Sequence, residues 1–296
     1  MASASIASSH ASSAFSSLHI IEPASHHTYT AVFLHGRGSH GEEFAEELFG
    51  SYLPGQQTIL EAFPGLRCVF PSSRILWDST FEEDMPAWFE ARSLSNTRER
   101  QDLQMPGLGE SVAYVQGVIN DEIKRLDGRS QNVCVVGISQ GCAIGLWALL
   151  SGGRQLGAFV GASGWLPFAA EIQAVFGQGA ECPETGVTTA KGMEFVKSVM
   201  GGTSSSSSSS GSSSGSLFES GRACMATPVL LGHGEDDAYV DIELGREVLH
   251  TLERIGLAAE WREYSGAEQE GHWFKAPEQL DDMTAFLVKA MGLVPA

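Results

Sequence analysis

The stretch from Asn132 to Leu150 constrains the fold more than any other part of the chain. Asn132-Val133-Cys134-Val135-Val136 is a continuous apolar strand, of the kind buried on both faces of a parallel sheet. Gly137-Ile138-Ser139-Gln140-Gly141 closes it, and the helix-like run Cys142–Leu150 follows. The same order recurs along the chain. Ala31–Leu34 runs into His35-Gly36-Arg37-Gly38, and Leu66–Phe70 is stopped by Pro71. Residues 157–162 end in Ser163-Gly164-Trp165-Leu166-Pro167, and Thr227–Leu231 runs into Gly232-His233-Gly234. Ala258–Tyr264 is the last strand of this kind. Between the strands lie amphipathic segments. Phe44, Leu48, Phe49, Tyr52 and Leu53 keep helical spacing over residues 41–53. Val112, Val115, Ile119, Ile123 and Leu126 share a face of residues 109–127. Leu244, Val248, Leu252 and Ile255 do so over 242–256, and Pro277 opens a last helix with Leu280, Met283, Leu287 and Met291 inward. Residues 72–106 have weak periodicity and read as a long loop. Strands alternating with helices predict an α/β fold: a mostly parallel central sheet with helices on both faces. Ligands of such sheets bind outside the carboxyl ends of the strands.

Two segments cannot bury a core. Residues 1–17 hold eight Ser and five Ala, and residues 201–216 hold eleven Ser, four Gly and one Thr. We therefore expect a Ser/Ala-rich disordered tail over residues 1–25 and one domain over 26–296. The domain would carry an insertion at about 168–226 with a disordered Ser/Gly tract at 201–216. Asp and Glu number 36 against 18 Lys and Arg, a formal net charge of -18. That excess argues against nucleic-acid partners and against electrostatic docking on anionic lipid. No apolar run approaches the ~20 residues of a membrane span. The start lacks a basic and apolar leader, its first Lys or Arg is Arg37, and it reads Met-Ala-Ser rather than Met-Gly. Cys68, Cys134, Cys142, Cys182 and Cys224 form no C-x-x-C pair and are odd in number, so a reduced, cytoplasmic protein is expected.

G-x-S-x-G occurs twice. Gly211-Ser212-Ser213-Ser214-Gly215 sits in the low-complexity tract with no strand before it and no helix after it, and is discounted. Around Ser139 the same pattern has the strand–turn–helix context of a nucleophile elbow; the bland alternative is a Ser N-cap. A serine nucleophile needs a base and an orienting acid, in chain order Ser, acid, His. Among later histidines His250 lies within a helix, whereas His272 lies between a strand and the final helix, on the same rim as Ser139. His233 precedes the acid and reads as structural. Asp236, Asp237 and Asp241 all follow the Thr227–Leu231 strand, and spacing alone does not choose among them. Asp241 is also a natural N-cap. An oxyanion would need two backbone N–H donors, one from Gln140 and one from the His35–Gly38 loop.

These pieces together resemble the acyl-protein thioesterase/carboxylesterase family of α/β-hydrolases, also called the phospholipase/carboxylesterase family. The matching segments are Ala31–Gly38, Met85–Phe89, Val135–Gly141, Ser163–Pro167, Gly232–Val240 and Gly271-His272, in family order. The resemblance implies the α/β-hydrolase fold, with Ser139 as nucleophile, Asp237 as acid and His272 as base. It places the oxyanion donors at the backbone N–H groups of Arg37 and Gln140. It implies cleavage of acyl thioesters or carboxylic esters through an acyl-serine. Protein depalmitoylation or carboxylesterase activity comes first, and short-chain esterase or lysophospholipase activity is the alternative. A non-catalytic ligand-binding protein on this fold is the reading from another class. No metal or cofactor is implied. The partners implied are an acylated protein or a small ester, with transient contact with membrane-bound acylated proteins. Trp88, Trp165 and Leu166 would line an acyl channel beside the serine, although ordinary aromatic core explains them equally well. Arg37 departs from the family, which usually has an apolar residue there, and implies a more polar mouth.

Overall fold

The computed structural model describes residues 14–78, 82–93, 96–176, 188–201 and 220–294. Ser213, Cys182, residues 1–13 of the expected tail and the Ser/Gly tract from residue 202 onward lie outside them.

The strands are β1 (His19–Ile21), β2 (Tyr29–Leu34), β3 (Leu66–Phe70), β4 (Arg74–Asp78), β5 (Glu83–Ala87), β6 (Val133–Ile138), β7 (Ala158–Ala162), β8 (Val229–Gly234) and β9 (Ala259–Tyr264). The α-helices are α1 (Gly41–Gly50), α2 (Ile59–Ala62), α3 (Gln101–Arg125), α4 (Gln140–Gly152), α5 (Ala169–Phe176), α6 (Ala190–Gly201), α7 (Ile242–Ile255) and α8 (Glu278–Met291). Seven strands form one sheet in the order β1-β3-β2-β6-β7-β8-β9. Every pairing in it is parallel except β1 with β3.

The strands alternate their side chains between two apolar layers, as the two-residue period of an extended chain requires. Val32, Leu34, Val133 and Val135 join one layer with residues of α3, α4 and α7. Ala31, Phe33, Cys134 and Val136 join the other with residues of α1, α2 and α8. With helices on both faces the central strands are buried from Thr30 of β2 onward and along all of β6 and β7, which is why their sequences read as apolar runs.

The structure corrects three expectations. The reading of residues 1–25 as disordered tail is too long, because His19–Ile21 pairs antiparallel with Phe70–Cys68 on the sheet edge. Three residues are too few to register as a periodic pattern. Residues 72–106 are not one loop. Arg74–Asp78 and Glu83–Ala87 form a separate antiparallel hairpin, with Trp77 opposite Asp84 and Ile75 opposite Pro86. The helix expected over 109–127 starts at Gln101 instead. Pro106, Gly107 and Gly109 hide its first turns, and tertiary packing overrides their low propensity. A Cβ on Gly107 would lie 2.8 Å from Phe89 Cα, so this turn of helix packs directly on the Phe89 backbone.

Candidate active site

The carboxyl ends of β2, β6, β7, β8 and β9 collect the residues singled out above. Ser139 follows β6 directly and precedes α4. Its φ of 55° and ψ of −123° are strained for a residue with a side chain. The main chain holds that geometry from both sides. Ser139 N–H donates to Ala162 O at 3.0 Å, and Ser139 O accepts from Ala143 N–H at 3.1 Å. The flanking glycines leave no room for side chains. A Cβ on Gly137 would come within 2.4 Å of Gly141 O, and one on Gly141 within 2.0 Å of Leu34 O. The G-x-S-x-G spacing is thus the steric condition for a sharp turn between a sheet and the helix packed on it.

Gly36 faces this turn: a Cβ there would lie 3.4 Å from Ser139 Cβ and 3.9 Å from its Oγ. The loop after β2 therefore lies against the serine. Behind it His35 is fully buried. Its Nδ1–H donates to Gly36 O at 2.6 Å, and its Nε2 accepts from Ser73 N–H at 3.0 Å. Burial pushes the His35 imidazole down to about 4, against a smaller opposing effect of the Gly36 carbonyl. Gln140 is equally buried. Its Oε1 accepts from Trp88 N–H at 3.0 Å and its Nε2 donates to Phe89 O at 3.0 Å.

Asp237 and His272 meet. His272 Nδ1–H donates to Asp237 Oδ2 at 2.7 Å, leaving Nε2 as the free ring nitrogen. Asp237 Oδ1 accepts from the N–H groups of Tyr239 and Val240, each at 2.9 Å. Burial disfavours the charge on this enclosed carboxylate. Hydrogen bonds from His233, His272 and Val240 outweigh that cost and hold Asp237 well below the usual carboxylate range. Asp236 and Asp241 are committed elsewhere. Asp236 Oδ2 accepts from Gly266 N–H at 2.9 Å, and Asp241 caps α7 through Glu243 N–H at 2.9 Å. Of the three candidates that spacing left open, Asp237 is the one hydrogen-bonded to His272. Ala238 N–H donates to Glu270 O at 3.0 Å and fastens the acid loop to the histidine loop. Among the described residues no hydrogen bond joins Ser139 Oγ to His272.

Of two further contributors, the first is the histidine read above as structural and the second was missed. His233 is buried, and its Nε2–H is shared between Val240 O at 2.9 Å and Asp237 Oδ2 at 3.4 Å. Asp78 pairs with Arg37, Nη1 to Oδ2 at 2.8 Å. That pairing revises the polar mouth expected from Arg37, because the guanidinium is 14% exposed and answered by a carboxylate. The H-G-x-x-D spacing is a signal for the first contributor, whereas nothing local marks the second.

Trp88 does not line a channel. It has no exposed surface, its indole N–H donates to His35 O at 2.8 Å, and its carbonyl accepts from Ser111 Oγ at 2.7 Å. It braces the serine's neighbours from inside the core. Trp165 and Leu166 border a cavity of about 30 Å³ that Thr97, Arg98, Glu171 and Glu247 also wall. Its walls are half polar and include the Arg98–Glu247 ion pair. Among the described residues no group of His, Cys, Asp and Glu side chains is arranged to hold a metal ion. No helix among them is long and apolar enough to cross a membrane.

Residues 16–186 match the sequence pattern of the phospholipase/carboxylesterase family. The chain belongs to that family. The match takes in Arg37, Ser139 and Gln140, while Asp237 and His272 lie beyond its end. Among curated relatives, acyl-protein thioesterase 1 of Gibberella zeae is 25% identical over 275 residues, 92% of this chain and 94% of that protein. Acyl-protein thioesterase 1 of Cryptococcus neoformans is 29% identical over 154 residues; the match spans 51% of this chain and 60% of the relative's length. The solved acyl-protein thioesterase 2 of Zea mays superposes with a TM-score of 0.62 at 21% identity, covering 93% of this chain and 99% of that one. Arabidopsis thaliana SOBER1 gives 0.61 at 22%, covering 89% and 99%. The phospholipase/carboxylesterase fold is therefore present across the chain, an α/β-hydrolase sheet with its helices.

Proposed function

We propose that this member of the family is a serine hydrolase that cleaves acyl thioesters or carboxylic esters through an acyl-Ser139 intermediate. One observation carries the reading. Ser139 stands at a strained φ at the N-terminus of α4, on the sheet edge that also bears the hydrogen-bonded Asp237–His272 pair. The curated relatives called acyl-protein thioesterases support the thioester side, and a fatty-acylated protein is the substrate class we assign first. The cytoplasm, where thiols stay reduced, is the compartment we assign; Cys68, Cys134, Cys142 and Cys224 are buried thiols.

In this mechanism a bound acyl carbonyl brings Ser139 and His272 into register. Ser139 Oγ attacks the carbonyl carbon as His272 Nε2 takes its proton. Asp237 holds the imidazole in the Nδ1–H tautomer and stabilises the imidazolium. The oxyanion of the tetrahedral intermediate lies between the backbone N–H groups of Arg37 and Gln140. The Gln140 donor starts α4, so the helix dipole adds to the attraction. Collapse breaks the carbonyl–sulfur or carbonyl–oxygen bond, and the leaving thiolate or alkoxide takes the proton from His272. Water then gives a proton to the same nitrogen as its oxygen attacks the acyl-serine carbonyl; collapse breaks the bond to Ser139 Oγ, which takes the proton back from His272 as the carboxylic acid leaves.

A second reading, a short-chain carboxylesterase, is supported on the ester side by the curated relative named carboxylesterase SOBER1. Chain-length dependence separates the two. We expect kcat/KM on nitrophenyl esters, measured from acetyl to palmitoyl, to rise towards octanoyl and beyond if a protein-depalmitoylating channel is open. A peak at acetyl or butyryl would establish the short-chain reading. With Ser139→Ala as the blank, turnover should fall by several orders of magnitude, since losing the serine of a comparable triad costs about 10⁶ in kcat. Residual turnover within tenfold of the parent would overturn both readings.

A further inference from the structure

The two residues assigned to the oxyanion hole are held by one stretch of chain. The hairpin and the segment of residues 88–91 that leaves it contact both. On the Gln140 side, Trp88 N–H and Phe89 O clasp the glutamine amide. On the Arg37 side there are three ties. Gly38 N–H donates to Pro86 O at 2.8 Å. Arg37 Nη1 reaches Asp78 Oδ2 at 2.8 Å and Ala91 O at 3.5 Å.

The Arg37 side depends on a side chain in a way the Gln140 side does not. Gln140 is the first residue of a helix, whose hydrogen-bond ladder fixes its N–H direction. Arg37 lies in Gly36-Arg37-Gly38, where only the middle residue has a side chain. Gly38 has φ +89° with open space around its Cβ position. The Gly36–Arg37 peptide that carries this N–H is held at its carbonyl by His35 Nδ1–H, and with glycines on both sides the Arg37 side chain is the further anchor on the Cα beyond it. Its guanidinium ends in an ion pair whose partners are 14% and 5% exposed. That burial makes the pair rigid and shields it from salt.

We propose that Asp78 is a positioning residue: through its ion pair with Arg37 it aims the Arg37 N–H at the oxyanion. The proposal rests on the Ser139 reading above. Because the carboxylate answers the guanidinium charge, the pair contributes direction rather than net positive charge. Removing the carboxylate therefore costs aim. Asp78 touches neither substrate nor reacting atoms, so its effect appears only where an oxyanion exists.

The test compares the parent, Asp78→Asn, Asp78→Glu and Arg37→Lys, each held well below its thermal midpoint. Four quantities are read: kcat and KM on nitrophenyl butyrate, affinity for a trifluoromethyl ketone whose serine adduct carries an oxyanion, and affinity for butyrate. Asp78→Asn should lower kcat by about 10- to 100-fold, less than the ~10²–10³ for deleting a donor outright, with KM within about threefold. Ketone affinity should fall by the same factor and butyrate affinity should hold. Asp78→Glu should restore kcat to within about fivefold, since it keeps the pair. If Asp78→Asn does not fold, Arg37→Lys is read the same way, because a point charge replaces the guanidinium fork. The proposal fails if kcat stays within twofold of the parent while the thermal midpoint falls, or if kcat, KM and butyrate binding all weaken together. Ser139→Ala runs alongside: turnover that survives it refutes the assignment of the site, not the role of Asp78.

Discussion

Single residues at this sheet edge are placed by steric exclusion and by enclosed polar bonds rather than by burial of apolar area. Ser139 owes its strained backbone to two glycines that no other residue can replace without meeting a carbonyl. Asp237 stays ionised because four N–H donors converge on it, those of Tyr239, Val240, His272 and His233. His35 gives a pH signature of its own. Its imidazole is held neutral down to about 4 in the folded protein, against 6.5 for the free group. The unfolded chain therefore binds a proton on His35 between those values and the folded one does not. The stability it confers is complete above pH 6.5 and is lost as pH falls towards 4. Between pH 7 and pH 5 the loss from this one group is about 2 kcal/mol. His35→Gln keeps an acceptor for Ser73 N–H and cannot titrate. Denaturant titrations at the two pH values should show the parent losing about 2 kcal/mol more than the variant. Equal losses would mean that His35 is already solvated in the folded state. Asp237 acts in the same direction at lower pH, where its depressed carboxyl is finally protonated.

At the scale of elements, the sequence was readable where periodicity was strong and opaque where contacts were distant. β3 matches its apolar run residue for residue, and β6 begins with Val133–Val136. The core face of α3 from Val112 to Leu126 is also as expected, because an apolar stripe reports burial directly. The first two turns of α3 were hidden, since Pro106 and Gly107 signal a break and only packing on Phe89 explains the helix. The β4–β5 hairpin was hidden because it joins neither core layer along its length; Ile75 and Trp77 remain 47% and 42% exposed. The candidate site divides in the same way. Ser139 has a local signature of strand, glycine and helix. The Gln140 amide clasps residues 51 and 52 positions away, and the Arg37–Asp78 pair spans 41. No local pattern carries such partners, so the Met85–Phe89 segment was legible as a motif but not as the brace it forms.

Across the whole molecule the two edges of the sheet do different work. The carboxyl edge carries Ser139, Asp237 and His272. The opposite edge carries an enclosed ionic network at the starts of β2 and β3. Glu122 Oε2 accepts from Thr30 Oγ1 and from Arg67 Nε, each at 3.1 Å, and Thr30 and Arg67 are register partners. Glu122 and Arg67 are 2% and 4% exposed. Glu122→Gln leaves the Arg67 guanidinium with Glu22 as its remaining carboxylate, and should cost about 1–3 kcal/mol of stability. Because the network lies a full strand length from the serine, kcat at 25 °C should stay within about twofold. A large fall in kcat in protein shown to be folded would contradict this division of labour. The central claim, that Ser139 is the activated nucleophile, is tested most directly by covalent labelling. The native protein is treated with a fluorophosphonate, its intact mass is measured and the modified peptide is sequenced. The account predicts one equivalent of label on Ser139, none on the Ser139→Ala variant and none on heat-unfolded protein. Label on a different serine, or ester hydrolysis that persists in protein that takes up no label, would contradict it.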